Sequence, residues 1–329
     1  MWIAYGLSQQ NTSELTGLTI GAFDGVHLGH QALIRWFVTE SHRAGLQAVV
    51  LTFDPLPRQV LTHHSKVARQ IGGVLSVLEE RLACIASLEV DGVVVLSFDR
   101  ALAATPALDF VTHLGEHLSL RGFWVGSDFS LGKGRGGNIT FLRELGRVRG
   151  FDVHVFEQVV LWNGAPVRSS RIRRALRAGD VEEACGCLGR PYRLSAPVGY
   201  GDQRGRTLGF PTANLVIPEE RLLPANGVYI CHAHVPQGCF HAITNVGTRP
   251  TFNHRPPTVE AHLLDFSANL YDMPLQLDFL HRLRPEIKFS SAEALVAQMH
   301  KDEADARAWL QEHDLKHAQL YKTPMRSKM

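Results

Sequence analysis

The chain has 329 residues, 45% of them hydrophobic and 20% charged, and its 34 basic against 32 acidic side chains leave a net charge of +2. That length exceeds what one core usually supports, so two domains are expected, and the charge is too balanced for a nucleic-acid surface. No apolar run approaches the ~20 residues that cross a bilayer, no basic segment leads into a secretory signal, and five cysteines without a Cys-x-x-Cys pair read as reduced thiols, so a soluble cytoplasmic protein without disulfides or zinc is expected.

From Leu18 to about Val155 short apolar runs alternate with helical patterns, which implies a parallel sheet. Leu18 to Ile20, Gln47 to Phe53, Gly92 to Phe98, Phe123 to Gly126 and Val153 to Phe156 read as strands. Between the first strand and a helix carrying Leu33, Ile34, Phe37 and Val38 lies Gly21-Ala22-Phe23-Asp24-Gly25-Val26-His27-Leu28-Gly29-His30. His27 and His30 share one face at a helix start, where unpaired N–H groups and the helix dipole favour anions, so both imidazoles can donate to one phosphate. Gly29 keeps the floor open, and Asp24 is expected to cap or orient the turn. A histidine pair alone reads equally as ordinary surface. Asp128, like the histidines, falls at a strand end.

Val159 to Trp162 and Ala165 to Arg168 flank Asn163-Gly164, a two-residue hairpin signal. Ser169 to Ala178 reads as a helix, and its Ser169-Ser170-Arg171 start offers hydroxyls and a guanidinium to a triphosphate; the alternative is a capped, solvated helix. Around Leu188 to Arg193 the pattern shifts to strands, setting domains at 1–187 and 188–315 with a polar tail over 316–329. Gly205-Arg206-Thr207-Leu208-Gly209-Phe210-Pro211-Thr212-Ala213-Asn214 looks like a nucleotide-phosphate loop. The glycines let backbone approach phosphates, Pro211 stiffens the chain, and Thr212 and Asn214 offer oxygens to Mg²⁺. Val228 to Val235, Val259 to Phe266 and the alternation of Leu275, Leu277, Phe279 and Leu283 predict a small antiparallel barrel. Ser290-Ser291-Ala292-Glu293 fits a capping box opening a closing helix, whose stripe of Leu295, Met299, Ala306 and Trp309 reads as core and not as a ligand box. His232, His234, His241 and His262 read as a solvated face, and His63-His64 as loop.

The Gly21–His30 turn resembles the signature of the His-x-Gly-His nucleotidyltransferases, and the 205–214 segment is similar to the ATP and metal loop of riboflavin kinases. With Thr52-Phe53-Asp54-Pro55, Val125-Gly126-Ser127-Asp128-Phe129, Ser169-Ser170-Arg171-Ile172-Arg173, Asn245 to Phe252, Val259 to Phe266 and Arg284 to Phe289 following in order, almost the whole chain resembles the prokaryotic bifunctional riboflavin kinase/FAD synthetases. The resemblance implies an α/β fold: an N-terminal Rossmann-like nucleotidyltransferase domain, then a C-terminal antiparallel β-barrel kinase domain with a closing helix. It implies phosphorylation of riboflavin to FMN by ATP, then adenylylation of FMN to FAD with release of pyrophosphate, both assisted by Mg²⁺. Glu260 becomes the general base, with Glu286 a weaker candidate; Thr212 and Asn214 become the metal ligands. His27 and His30 become catalytic, with Gly21, Phe23, Asp24, Gly29, Asp128, Ser169, Ser170, Arg171, Gly205, Arg206, Gly209, Phe210 and Pro211 around ATP. Arg284, Glu286 and Phe289 shape the flavin side. Small-molecule substrates, no nucleic acid or membrane partner, and a monomer or weak homo-oligomer are expected.

The chain departs from that pattern at Arg168, where a small polar residue is usual, and at Leu56, Ala196, Gly199-Tyr200 and Asp272; aspartate tolerates positive φ if the turn at 272 needs it. Two other readings are a kinase without adenylyl transfer and a flavin-binding regulatory protein with vestigial loops.

Overall fold

The computed structural model describes residues 1–7, 12–61, 73–201, 205, 208–247 and 258–320, with backbone alone for 12, 13 and 314–320. It divides into two compact units, Met1–Ser169 and Ser170–Met329.

In the first unit, strands β1 (Trp2–Tyr5), β2 (Thr12–Ile20), β3 (Gln47–Phe53), β4 (Gly92–Leu96), β5 (Leu118–Gly126) and β8 (Asp152–Phe156) form a sheet in the order β1-β4-β3-β2-β5-β8. Every pairing in it is parallel. The short strands β6 (Ser130–Leu131) and β7 (Gly137–Asn138) pair separately, as do β9 (Leu161–Trp162) and β10 (Ala165–Pro166). Helices α1 (Leu28–Arg43), α2 (Pro57–Leu61), α3 (Leu78–Ala86), α4 (Arg100–Ala104), α5 (Ala107–His117) and α6 (Ile139–Arg149) intervene.

The period of two along β3 explains the layers. Val49, Leu51 and Phe53 pack with Phe110 and Leu114 of α5 and Leu142 of α6, while Ala48 and Val50 pack with Ile34 and Phe37 of α1 and Ile85 of α3. A strand buried on both faces reads as a near-continuous apolar run, as β4 does throughout and β3 does from Ala48 to Leu51. Observed strands differ from expectation mainly in length. The run Gly92 to Phe98 ends at Leu96, and the hairpin shrinks to two residues on each side. Its turn is as expected, with Asn163 at φ 45° and Gly164 at φ 72°.

The second unit opens with helices α7 (Ser169–Ala178) and α8 (Val181–Leu188). Strands β11 (Tyr192–Gly199), β12 (Ala213–Leu215), β13 (Gly227–Val235), β14 (Gly238–Gly247), β15 (Thr258–Leu263) and β16 (Pro274–Pro285) then close an antiparallel barrel in the order β11-β12-β15-β14-β13-β16. Tyr229, Cys231, Leu277 and Phe279 fill its interior, while Ile230 and Leu280 on the outer face pack with Ala306 and Leu310 of the closing helix α9 (Ala292–Leu320). Helix α7 is bonded here by the Ala225 amide on the Leu176 carbonyl (2.8 Å) and Arg282 on the Ala178 carbonyl (3.1 Å), and α8 by Glu182, 2.5 Å from His281 Nδ1.

Three expectations shift. β15 stops at Leu263, short of Phe266, because Asp265 turns the chain at φ 58°. Ser291, not Ser290, caps α9, accepting from the Ala294 amide at 3.2 Å. The helix also continues past Leu315 to Leu320, and 321–329 lie outside the described residues. Asp272 has φ 62°, the conformation its turn was expected to need.

His234 does not lie on a solvated face. Its Nε2 is 2.9 Å from Asp278 Oδ2, and Arg193 grips the same carboxylate through Nε and Nη2, both at 2.6 Å. Burial opposes ionisation of Asp278, but these bonds outweigh it and hold its carboxyl below the usual range. The Asp278 hydrogen bond raises His234 to about 9. This part of the stability is therefore complete below pH 6.5, the ordinary histidine value, and lost as pH rises through about 9. Asp278→Ala strands two cations and is expected to cost about 3–5 kcal/mol in urea unfolding, and to flatten the alkaline loss of stability.

Candidate active sites

The chain leaves β2 toward β3 and β4 on one side, and returns to β5 and β8 on the other, so the loops after β2 and β5 diverge at the carboxyl edge. In doubly wound sheets that crevice is where ligands bind. The 21–27 turn enters it with three residues at positive φ within four positions, Phe23 (φ 44°), Gly25 (φ 80°) and Val26 (φ 38°). Positive φ at non-glycine residues is strain that the surroundings must hold. Asp24 does so. It does not cap α1; it is buried, and its Oδ1 accepts from the amides of Leu75 (2.8 Å) and Ser76 (3.1 Å), while Ser76 Oγ accepts from the Gly25 amide (2.9 Å).

The cap is His27, whose Nδ1 accepts from the His30 amide at 3.3 Å. That bond requires Nδ1 to be unprotonated, so the neutral ring carries its proton on Nε2. The His27 and His30 rings stack with centroids 3.6 Å apart, and Phe23 meets His30 edge-on at 5.3 Å. His30 Nδ1 is sealed from solvent and has no hydrogen-bond partner among the described residues. Burial first, then the neighbouring His27, push its pKa well below the ordinary value. A Cβ on Gly29 would stand 3.2 Å from the His27 ring, a tight contact that the capping imidazole would have to accommodate. Ser169 closes the turn by donating to the Asp24 carbonyl at 3.4 Å. Asp128 is exposed in the turn after β5, with Arg135 on its carbonyl at 3.2 Å. Ser170 is exposed, and Arg171 donates through Nε to Glu183 at 2.6 Å, a partner on α8 that the start of α7 did not reveal.

In the barrel, Asn214 on β12 stands opposite Glu260 on β15, Glu260 opposite Asn245 on β14, Asn245 opposite Val228 on β13, and Val228 opposite Arg284 on β16. Directly opposed residues share a face. This row therefore crosses the outer wall under α9, where a cavity of about 320 Å³ is lined by Thr212, Glu260, Phe289, Leu295 and Met299 among others. Leu295 and Met299, expected as core, line the cavity instead; Ala306 is core as expected. Asn245, absent from the expected site residues, is brought to Glu260 by register alone.

Gly205 turns the loop by accepting from the amides of Leu208 (3.1 Å) and Phe210 (2.8 Å), and Gly209 has φ 85°. A Cβ on Gly205 would fall 2.3 Å from the Phe210 carbonyl oxygen. Phe210 is buried between His262 and His300, and the Pro211 carbonyl accepts from His262 Nδ1 at 2.8 Å. His262 is thus a strut between this loop and the Glu260 strand, not part of a solvated face. It also borders a second, more open hollow of about 390 Å³ with Gly209, Pro211, Asp265 and Arg307. Arg284, Glu286 and Phe289 line the cavity under α9; within it the Arg284 guanidinium forks onto Asp302 of α9 (Nε 2.8 Å, Nη2 2.7 Å) and lies 5.9 Å from the centre of Phe289. Glu286 is exposed and accepts from Asn226 at 3.0 Å. Arg206 and His63-His64 lie outside the described residues.

A doubly wound unit with a histidine-capped turn at its crevice, followed by a barrel with a glycine loop and a carboxylate over a cavity, defines a two-domain nucleotide-dependent transferase. The family model for FAD synthetase matches residues 9–171 and that for riboflavin kinase matches 188–310. Proteins called bifunctional riboflavin kinase/FMN adenylyltransferase are similar along most of their length. The Haemophilus influenzae one is 36% identical over 89% of this chain and 93% of its own; the Escherichia coli K12 one is 36% identical over 88% and 91%; the Bacillus subtilis one is 33% identical over 88% and 90%. A crystal structure described as a macrolide-efflux protein from Streptococcus pneumoniae has the same fold, with a TM-score of 0.83 and 27% identity over 93% of this chain and 99% of that one. None of the described helices is long and apolar enough to cross a membrane. The chain belongs to the bifunctional riboflavin kinase/FMN adenylyltransferase family.

Proposed function

We propose that the barrel unit transfers the γ-phosphate of ATP to riboflavin, and that the doubly wound unit joins the FMN so formed to AMP from a second ATP. The observation that carries the first step is the row Asn214, Glu260, Asn245 above the cavity. Glu260 accepts the proton of the riboflavin 5′-hydroxyl as its oxygen attacks the γ-phosphorus and ADP departs. Val228, Ile243, Ile287, Phe289, Leu295 and Met299 give the cavity the apolar lining a flavin ring needs, while the open hollow across Pro211 and His262 suits the nucleotide. In the second step an FMN phosphate oxygen attacks the α-phosphorus and the bond to pyrophosphate breaks. His27, His30 and the 21–29 backbone hold the phosphates, with Gly21, Phe23 and Asp24 fixing the turn, Asp128 toward the nucleotide, and Ser169, Ser170 and Arg171 holding pyrophosphate.

Thr212 and Asn214 supply a hydroxyl and an amide oxygen beside the Glu260 carboxylate, hard oxygen donors of the kind that suit Mg²⁺. When bound there, Mg²⁺ would offset charge on the transferring phosphoryl group. We assign the functional domains to 1–187 and 188–315, acting in the cytoplasm as a monomer or weak homo-oligomer, without nucleic acid.

Separating flavins chromatographically after incubation with riboflavin, ATP and Mg²⁺, and then with FMN, ATP and Mg²⁺, tests the assignment. FMN and then FAD are expected; FMN alone would leave a kinase, and neither product would leave a flavin-binding protein. Gly205→Ala drives a methyl into the Phe210 carbonyl and is expected to lower FMN formation about 10²-fold while FAD formation from supplied FMN is unchanged. Equal loss of both would place Gly205 outside a separate kinase site.

A further inference from the structure

Among the described residues, the potential ligand atoms of His113, Glu116 and His117, on the last turns of α5, lie within 4.8 Å of one another. Two histidines four apart on a helix share a face, and their rings stand 4.6 Å apart between centroids. Each already has one nitrogen committed. His113 Nδ1 is 3.3 Å from Glu116 Oε2, and His117 Nδ1 is 3.0 Å from the His113 carbonyl. Carbonyl and carboxylate oxygens only accept, so both Nδ1 atoms carry the proton, and in the neutral rings both Nε2 atoms are lone-pair donors. A metal-binding histidine characteristically has its other nitrogen tied to a carboxylate or a carbonyl, which fixes tautomer and ring orientation. The helix carboxyl end adds a negative potential that favours a cation.

We infer that His113 and His117 form a surface site for a divalent transition metal of the borderline class, Zn²⁺, Ni²⁺ or Cu²⁺, binding through both Nε2 atoms, with Glu116 orienting His113. Imidazole nitrogens suit those ions, whereas Mg²⁺ takes oxygen ligands. The site is separate from the catalytic crevice: α5 leads into the first residue of β5, and the crevice lies beyond the last, roughly 25 Å along the strand at the usual rise.

The test is titration of the full-length protein with NiCl₂ by calorimetry, in the wild type and in His113→Ala, His117→Ala and Glu116→Gln. The strongest equivalent should weaken at least about tenfold in either alanine variant and by less in Glu116→Gln. Cu²⁺ spectra of the wild type should show two equatorial nitrogens that fall to one in His117→Ala. Both flavin-forming activities should persist in the variants, which separates loss of metal from loss of fold. An unchanged strongest equivalent in the His113→Ala/His117→Ala double variant, or copper spectra indifferent to His117, overturns the site.

Discussion

Replacing Glu260 by glutamine should lower FMN formation by about 10² to 10⁴, the range a positioned general base contributes, and leave adenylylation of supplied FMN untouched. The exchange keeps shape and hydrogen-bonding capacity and removes only the ability to take a proton, so any deficit belongs to chemistry and not to the barrel. Glu260 is set between Asn214 and Asn245 on adjacent strands, a register no other carboxylate in the cavity wall has. Its rival, Glu286, is exposed and holds Asn226 instead. Glu286→Gln should therefore change the same rate by no more than a few fold. Measuring kcat/KM for riboflavin in both variants decides between them: a small effect at Glu260 with a large one at Glu286 would move the base to the loop after β16.

Much of this architecture was legible because it rests on local rules. β3 and β4 are near-continuous apolar runs because both faces are buried, Asn163-Gly164 supplies the positive φ its turn requires, and the start of α7 at Ser169 is marked by its hydroxyls. What escaped depends on partners distant in sequence. Asp24 is open between capping and orienting the turn until its carboxylate is seen on the amides of Leu75 and Ser76, which makes it the orienting group. Asn245 joins Glu260 only through strand register, and Arg171 meets Glu183 only because α8 folds back beside α7. Strand β12, three residues long, is too short for a period of two to show. In the barrel, alternate residues face the core and α9 in turn, so Leu295 and Met299 cannot be assigned to core or cavity until the helix is placed against its wall.

His30→Ala should lower FAD formation from FMN by about 10²- to 10³-fold and spare FMN formation, because the lost contact is a preorganised donor to developing phosphate charge in a site shielded from water. The same residue carries a second signature. Its buried ring is held neutral, its pKa far below the 6.5 of an exposed histidine, so the unfolded chain takes a proton near that pH that the folded chain refuses. Stability linked to His30 is therefore complete above about pH 6.5 and is lost as pH falls toward the folded-state pKa. Thermal midpoints of wild type and His30→Gln measured from pH 5 to 8 should converge as acid is added, since glutamine has no proton to take. Parallel curves would mean that folded and unfolded chains take this proton at the same pH, so that burial does not hold the His30 ring neutral. A variant curve that gains on wild type as acid is removed would instead mark His30 as a cation in the folded chain, and not as the neutral donor that its sealed Nδ1 and stacked ring describe.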